Sequence, residues 1–367
     1  MATARDVSNN VGENLALRNA LLATAPRMRK KLGSFSATQG NTTRVKLFNV
    51  GVIQKLVGVV TASVTIAGNA LVAGKRGAHA LLSQVKVVDF EGTDRVNASG
   101  YQLWVLNSVR NRTPAFLNNE SMTAVSSMPT VPTAVGTANI QYYFEIPIAY
   151  DPERDLRGAI LAQTAVGEMF VNLTVGTLLT DGSDEGVYNS KGAAGTLTVN
   201  SINIDLYQDY LFPQAIGGQL PLPMQDLLTV YEINGNFRLT DNISNGQERL
   251  IPYPNVRSVL ASYTNWMNAG AMSNAINKFT LIANGNNILT ENSLDTQLME
   301  QRNWFNGDLQ IGTFFYNHRN RPVETAMYGN VQAGITFNAA PSGVYYIEQM
   351  FESFYPKGAL LPGMTNG

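Results

Sequence analysis

Apolar and polar residues alternate along much of the chain, and this period of two is typical of β-strands with one buried face. The segment 56–74 tests this interpretation, because its 19 uncharged residues are long enough to suggest a membrane span. Within 60–66, however, Thr and Ser alternate with Val, Ala and Ile, and three glycines of the segment disfavour a helix. The pattern therefore predicts a strand and a turn, and no transmembrane helix.

Strand-like segments dominate the sequence from Arg44 onward. They are rich in Val, Ile, Tyr, Phe and Thr and are bounded by Gly, Asn, Asp and Pro. The predicted strands are 44–50, 53–66, 79–90, 140–149, 167–175, 199–211, 224–234, 256–264, 276–283, 310–316, 322–328, 331–338 and 343–354. Helical patterns occur at 99–111 and 290–305. Many strands without alternating helices predict an all-β sandwich or jelly roll.

The N-terminal segment has a different pattern. Asn10 and Glu13 have the spacing of a capping box, which predicts an amphipathic helix that Pro26 must break or kink. A short basic turn then ends at Gly33, and 33–43 is interpreted as a linker. We therefore expect an N-terminal helical arm and linker at 1–43.

A Pro- and Gly-rich passage at 212–223 divides the remaining sequence. The expected organisation is one β-domain at 44–212, a linker at 213–223, and a second β-domain with a C-terminal tail at 224–367. The segments IDLYQDYLFP (204–213) and IEQMFESFYP (347–356) align without gaps, 143 residues apart. Chance explains a match this short equally well, but two copies of one domain would also leave it behind.

Charge is sparse and uneven. Charged residues make up 14% of the chain, below the roughly 25% usual in soluble proteins. Since charged residues are depleted at interface cores, this favours a surface buried against other copies, although a secreted β-protein with a polar surface would look similar. Residues 1–31 carry a net charge of +4 and the remainder −5. The body therefore has no basic field for specific nucleic-acid binding.

Little in the sequence indicates catalysis. The absence of cysteine excludes disulfides and thiolate metal sites, and the two histidines lack partners at metal-binding spacing. The acidic turn 150–156 is interspersed with arginine, so we interpret it as self-paired. The loop 181–186 could offer oxygens to calcium, but its spacing is not that of an EF-hand and a plain hairpin loop is favoured. We expect no enzyme, no cofactor and no metal site.

Several segments, in order along nearly the whole chain, resemble the major capsid proteins of tectivirus-type bacteriophages, which share the adenovirus-hexon-like lineage. The segments are LALRNALLA (15–23), SGYQLWVLNS (99–108), TPAFLNNESM (113–122), YYFEIPIAYDPERDLRGAILA (142–162), LYQDYL (206–211), LPLPMQDLLTVYEI (220–233), MYGNV (327–331) and YYIEQMFESF (345–354). The stretches near 123–139, 181–196 and 265–275 have no clear counterpart.

This resemblance implies a double jelly roll, meaning two eight-stranded β-sandwiches in one chain. It also implies homotrimeric capsomers of pseudo-hexagonal outline that tile an icosahedral virion shell over an internal membrane around double-stranded DNA. Expected partners are other copies, inner-membrane lipids, and minor capsid, vertex or cementing proteins. Assembly is expected in the host cytoplasm.

The best candidate contact residues are the cations of the N-terminal arm. We expect them to meet a membrane surface or a neighbouring subunit, against the alternative of a solvated arm. They are Arg18, Arg27, Arg29, Lys30 and Lys31.

A carbohydrate-binding or carbohydrate-active β-sandwich is the alternative function. It predicts exposed aromatic platforms, with Trp266 the foremost candidate because Trp104 and Trp304 lie in helical patterns. A surface-layer subunit or adhesin is a third hypothesis.

Overall fold

The computed structural model describes most of the chain in twelve segments, to which every structural statement below refers. They are residues 24–111, 131–162, 167–190, 195–213, 229–239, 248–268, 270–273, 276–287, 292–293, 312–319, 322–337 and 345–356. In the described part β-strands predominate, and none of its helices is long and apolar enough to cross a membrane.

The first half of the chain contains twelve strands and a helix. They are β1 (Arg27–Ala37), β2 (Thr42–Lys46), β3 (Val52–Ala67), β4 (Val72–Ala73), β5 (Leu82–Val88), β6 (Asp94–Ala98), α1 (Gly100–Asn111), β7 (Gly136–Pro147), β8 (Ile160–Leu161), β9 (Phe170–Val175), β10 (Leu179–Thr180), β11 (Tyr188–Asn189) and β12 (Thr196–Leu211).

The second half adds eleven strands. They are β13 (Thr229–Leu239), β14 (Glu248–Pro252), β15 (Ser258–Asn268), β16 (Ala271–Met272), β17 (Ile276–Ala283), β18 (Asn286–Asn287), β19 (Asn292–Ser293), β20 (Thr313–Asn317), β21 (Val323–Glu324), β22 (Val331–Phe337) and β23 (Tyr345–Pro356). Short 3₁₀ turns occupy Gly77–Leu81 and Thr325–Met327.

The first sandwich packs the sheet β1-β12-β3-β7 against the strands β2-β9-β5-β6. Strand β3 shows why these residues form a sheet of this kind: its second half alternates buried and half-buried positions, as the sequence pattern predicted. The buried positions, such as Val60 and Val64, belong to the same apolar cluster as Val85 and Leu173 of the other sheet. Each such side chain removed from water contributes about 1.5–3 kcal/mol.

The second sandwich repeats this arrangement. Strands β13, β23 and β15 form one layer, and the sheet β14-β22-β17-β18 forms the other. Trp266 and Phe337 meet in its core with ring centroids 4.6 Å apart. Strand β12 lies between β1 and β3, as β23 lies between β13 and β15. The aligned segments 204–213 and 347–356 thus occupy equivalent strands, which supports the hypothesis of two copies of one domain.

A single ten-stranded sheet continues through both sandwiches. Strand β6 of the first pairs with β13 of the second, with Val96 beside Ile233 and Asn97 beside Asn234. This pairing is parallel, whereas the other pairs of the sheet are antiparallel. The apolar cluster of the first sandwich also continues into Ile233 and Met350 of the second. The two sandwiches are therefore joined through backbone and core.

The structure corrects the interpretation of the basic segment. Residues 27–37 form strand β1, so the predicted basic turn and the linker at 33–43 are both wrong.

The helix predicted at 99–111 is confirmed as α1. The helix predicted before Pro26 lies outside the described residues except at its C-terminal end. Of the helix predicted at 290–305, only Asn292–Ser293 is described, and it is a short strand.

Both histidines are core residues. His79 is fully buried, stacked on Trp104 with ring centroids 4.7 Å apart, and burial lowers its pKa to about 3. His318 is buried beside Tyr253, with the hydroxyl 3.1 Å from Nε2, and burial lowers its pKa to about 4. Both rings are thus held neutral in the folded protein.

This burial predicts a loss of stability on acidification. Both pKa values lie below the 6.5 of a free histidine. As pH falls below about 6.5, the two histidines therefore become protonated in the unfolded chain but stay neutral in the folded chain, which favours unfolding. At pH 4 this amounts to about 3 kcal/mol for each histidine, at 1.36 kcal/mol per pKa unit. Urea unfolding of wild type and His318→Gln between pH 7 and pH 4 measures the effect. The variant should lose about 3 kcal/mol less than wild type over that range, and parallel curves would contradict the assignment.

Candidate functional site: the basic strand and the seam between the sandwiches

Strand β1 is an edge strand of its sheet, pairing with β12 on one side. Its register places Arg29 opposite Asp209 and Ser34 opposite Asp205, with a bulge between Lys31 and Gly33. Cross-strand pairs of opposite charge stabilise a sheet by a few tenths to about 1 kcal/mol each. The register thus matches one cation, Arg29, directly to an acid 180 residues further along the chain.

Three of the four cations on β1 have carboxylate partners in their own chain. Arg29 is bidentate, donating from Nε and Nη2 to the two oxygens of Asp209 at 2.7 and 2.8 Å, and this hydrogen bonding raises its pKa. Lys31 lies 2.8 Å from Asp205, whose pKa is lowered chiefly by that hydrogen bond. Arg27 pairs with Glu153. The basic strand is therefore partly neutralised where it lies.

Lys30 differs from the other β1 cations. Its ammonium lies 3.8 Å from the centroid of the Phe48 ring, a cation–π contact. Arg18, the fifth predicted site residue, lies outside the described residues. Lysine and arginine on an edge strand also discourage unwanted pairing with another sheet edge. Charge at this position therefore protects the sheet edge.

The acidic loop 181–186 belongs to the first sandwich and forms hydrogen bonds and an ion pair with the second. The Asp184 amide donates to the carbonyl of Gly270 at 2.7 Å, and its carboxylate accepts from the Met272 amide at 3.1 Å. Glu185 accepts from Tyr346 and lies 3.1 Å from Arg238. Both acids are thus bound to the second sandwich, which the hairpin interpretation missed. No metal-type cluster of three His, Asp or Glu residues occurs in the described segments.

The turn 150–158 combines a self-paired surface with a packed inner side. The Asp155 carboxylate accepts from Arg157 Nε at 2.8 Å, which confirms the predicted self-pairing. On the inner side, the Tyr150 ring lies 5.8 Å from Tyr231 of β13 and 5.3 Å from Phe354 of β23. Gly158 has φ of +81°, and a Cβ at this position would overlap Tyr231. The turn therefore packs the first sandwich against the second.

We use "the seam" for the whole contact between the sandwiches: the β6–β13 pairing, the turn 150–158, the loop 181–186, and the ion pairs and hydrogen bonds around them. Arg76 of the first sandwich donates to Glu348 of β23 at 2.5 Å, with both side chains largely buried. Tyr101 of α1 meets Thr313 of β20 at 2.7 Å. These bonds fix one sandwich relative to the other.

Buried charges on either side hold the elements that form the seam. Arg95 contacts Asp89 at 2.8 Å and donates to the carbonyl of Gly158 at 3.2 Å. On the other side, Glu352 accepts from Arg319 at 2.6 Å and from the Tyr231 hydroxyl at 2.7 Å. Removing one partner of such a pair leaves an uncompensated buried charge and costs about 3–5 kcal/mol. No local sequence signal pointed to these pairs.

The aromatic residues considered for sugar binding do not form platforms. Trp266 is fully buried in the second core, so its prediction as an exposed platform is wrong, and Trp104 is buried on α1 as expected of a packing residue. Trp304 lies outside the described residues. Trp104, Trp266 and both histidines are therefore core residues of the described part of the chain.

Comparison with known proteins gives the same picture. A family model described as P3 major capsid protein N-terminal matches residues 8–213. Major capsid protein P3 of Enterobacteria phage PRD1 is 25% identical over 312 residues, which cover 77% of this chain and 75% of that protein.

Solved structures share the fold at low sequence identity. A crystal structure of the STIV MCP has a TM-score of 0.66 at 12% identity, covering 90% of this chain and 97% of that one. The major capsid protein P2 from Bacteriophage PM2 has a TM-score of 0.50 at 10% identity, covering 91% of this chain and 100% of that one.

Two sandwiches of equivalent topology, joined side by side in one chain, form a double jelly roll, and the matching family model makes the chain a viral major capsid protein of that fold. The family model covers more than half of the sequence, and the chain accordingly belongs to the P3 major capsid protein family. This confirms the resemblance seen in the sequence and identifies a structural component of the virion capsid.

The seam predicts a position-specific effect of adding one methyl group. Gly158→Ala places a Cβ against Tyr231 at a φ that L-residues rarely adopt, whereas Gly92→Ala imposes the same φ, +80°, in open space. We expect Gly92→Ala to cost about 1–2 kcal/mol of unfolding free energy and Gly158→Ala at least about 2 kcal/mol more. Urea unfolding of the two variants makes the comparison. Equal losses would show that the contact with Tyr231 does not constrain the seam.

Proposed function

We propose that three copies of the chain form a pseudo-hexagonal homotrimeric capsomer, and that such capsomers tile an icosahedral shell over an internal lipid membrane around double-stranded DNA. The observation that carries this proposal is the continuous ten-stranded sheet. It holds two equivalent sandwiches in one body, so three chains supply six similar sandwiches around an axis. Repeated weak contacts under closed symmetry then suffice to close a shell.

The outer surface of the first sandwich is consistent with burial between subunits. On β3 the residues facing away from the core include Thr61, Ser63 and Thr65, and Thr65 shares a hydrogen bond of 3.0 Å with Thr137 of β7. Uncharged polar groups cost less to bury than charges. In this proposal capsomers assemble in the host cytoplasm, catalyse no reaction, and meet minor capsid, vertex or cementing proteins at their margins.

The trimer is tested by the mass of the protein in solution. Light scattering on the purified chain should give three times the 39.9 kDa chain mass. Gly158→Ala should lower the trimer fraction because a displaced sandwich spoils the pseudo-hexagonal outline, while Gly92→Ala should not. A monomer at every protein and salt concentration would refute the proposal.

We propose further that the cations of the N-terminal region, Arg18, Arg27, Arg29, Lys30 and Lys31, contact anionic groups of the membrane surface or of a neighbouring subunit. The Arg27–Glu153 pair is about half exposed on both sides, and exposed ion pairs contribute about 0–1 kcal/mol. Exchanging Glu153 for an external anion therefore costs little. Arg29 is less available, because it is bidentate on a largely buried Asp209, whereas the Lys31–Asp205 pair is nearly as exposed as Arg27–Glu153.

Vesicle binding distinguishes the two surfaces. Each cation near an anionic membrane contributes roughly 1 kcal/mol, so Arg27→Gln with Lys30→Gln should weaken trimer binding to phosphatidylglycerol vesicles by more than about tenfold. Binding should fall steeply with salt. Lys86→Gln on β5 is the matched control, because its charge is also exposed but is paired with Asp94 away from β1.

Binding that does not depend on salt, or no binding to anionic vesicles, would contradict the proposed contact with the membrane. Loss of shell assembly in the double variant with vesicle binding unchanged would assign the cations to a neighbouring subunit.

A further inference from the structure

Strands β1 and β13 hold equivalent positions in the two sandwiches, but their outer edges differ. Strand β13 lies between β23 and β6, whereas β1 pairs with β12 and with no other described strand. An unpaired edge presents a row of backbone N–H and C=O groups that can receive another strand. The first sandwich therefore leaves open the edge through which the second sandwich is joined to its neighbour.

The register identifies the equivalent residues on the two strands. Strand β13 meets β6 at residues 233–234, which lie opposite 351–352 of β23. On β1, Arg29 and Lys30 lie opposite 208–209 of β12. Residues 208–209 and 351–352 are 143 positions apart, the offset that also aligns the two sandwiches in sequence. Arg29 and Lys30 thus hold the positions at which β13 receives β6.

The second sandwich carries a counterpart of β6 at the edge of its outer sheet. Strand β6 pairs back on β5, and Val96 forms the second pair after the turn. Strand β18 pairs back on β17 in the same way, with Asn287 in the second pair. Asn286 and Asn287 are exposed, and β18 pairs with β17 alone among the described strands. Asn287 therefore corresponds to Val96, the residue that lies beside Ile233 within the chain.

The two open edges belong to different sandwiches, and no pairing of described residues joins them within the chain. Contact between the β1 edge of one copy and the β18 edge of the next is head-to-tail, and such contacts form a ring when the rotation closes. Inside the chain, the equivalent contact relates one sandwich to the other. Three chains would repeat this contact three times within chains and three times between them.

Charge favours β18 over a second β1 as the partner. The first five residues of β1 include four cations, so two β1 edges brought together would repel each other. The sequence that follows β18, residues 288–311, contains four acids and one arginine. Opposite charges on two approaching surfaces speed their association and exclude wrong partners.

We propose that the outer edge of β1 pairs in parallel with β18 of a neighbouring copy, with Arg29 beside Asn287 of that copy. The junction between chains then repeats the β6–β13 junction inside the chain. This inference rests on the proposed homotrimer and names the backbone contact that closes it.

Engineered cysteines test the contact, because the chain has none of its own. Met28 and Asn286 each precede the proposed Arg29–Asn287 pair by one residue, and both are exposed. In the proposed pairing they lie side by side on strands about 4.8 Å apart, a separation that a disulfide bridges. After oxidation, Met28→Cys with Asn286→Cys should run as covalent dimers and trimers on denaturing electrophoresis, and each single variant as a monomer.

Met28→Cys with Leu250→Cys is the matched control. Leu250 is also exposed and lies on β14, at the opposite edge of the sheet that contains β18, so no linked chains are expected. A trimer by light scattering whose cross-linking does not exceed that of the control would overturn the β1–β18 contact and leave the homotrimer standing. A monomer at every concentration would overturn both.

Hydrogen exchange on the wild-type trimer is a second measurement that needs no substitution. Successive amides of an edge strand point alternately toward its partner and toward solvent, so an open β1 edge leaves one of the amides of Arg29 and Lys30 unbonded. Protection of both amides is the expected result. Exchange of either amide at the rate of an unfolded chain would overturn the proposal, whatever the cysteine variants show.

Discussion

The pairing of β6 with β13 is the constraint on which the rest of the molecule depends. Two backbone-bonded residues on each strand convert the inner layers of two sandwiches into one sheet. Because backbone hydrogen bonds fix distance and direction together, neither sandwich can rotate without breaking them. The outline of the chain, and with it the geometry of any assembly, follows from this junction.

Side chains around the junction add specificity to it. Buried ion pairs such as Arg76–Glu348 and Arg319–Glu352 return little net stability, since desolvation offsets their attraction. Arg319 and Glu352 both lie in the second sandwich and fix its own elements. The Arg76–Glu348 pair, which joins the two sandwiches, does penalise any other arrangement of them, because a shifted partner would leave a buried charge alone. Asp184 acts in the same way through two backbone groups of the second sandwich. The acidic loop 181–186, considered from the sequence as a weak calcium site, thus holds the first sandwich to the second through hydrogen bonds.

In the basic segment near the N-terminus, strand pairing determines which groups the cations contact. As a turn on a flexible arm, its four cations would have been free for any anionic surface. As an edge strand, three of them lie beside acids of their own chain, and Lys30 covers an aromatic ring. The charges therefore protect a sheet edge first, and the contact that we propose with lipid or with another subunit would compete with internal pairs that are individually weak.

The sequence by itself determined the strands whose two faces differ, as at β3 and β12, and the helix α1, because a local period records which side of an element is buried. It also carried the likeness of β12 to β23. Only the tertiary structure decided that residues 27–37 form a strand, since the acids that stabilise it lie on β12. The seam likewise depended on the folded chain: Arg76 and Glu348 are 272 residues apart, and their pairing has no local signature. Contacts between distant residues are set by how whole layers pack, and periodicity reports only which face of each layer turns inward.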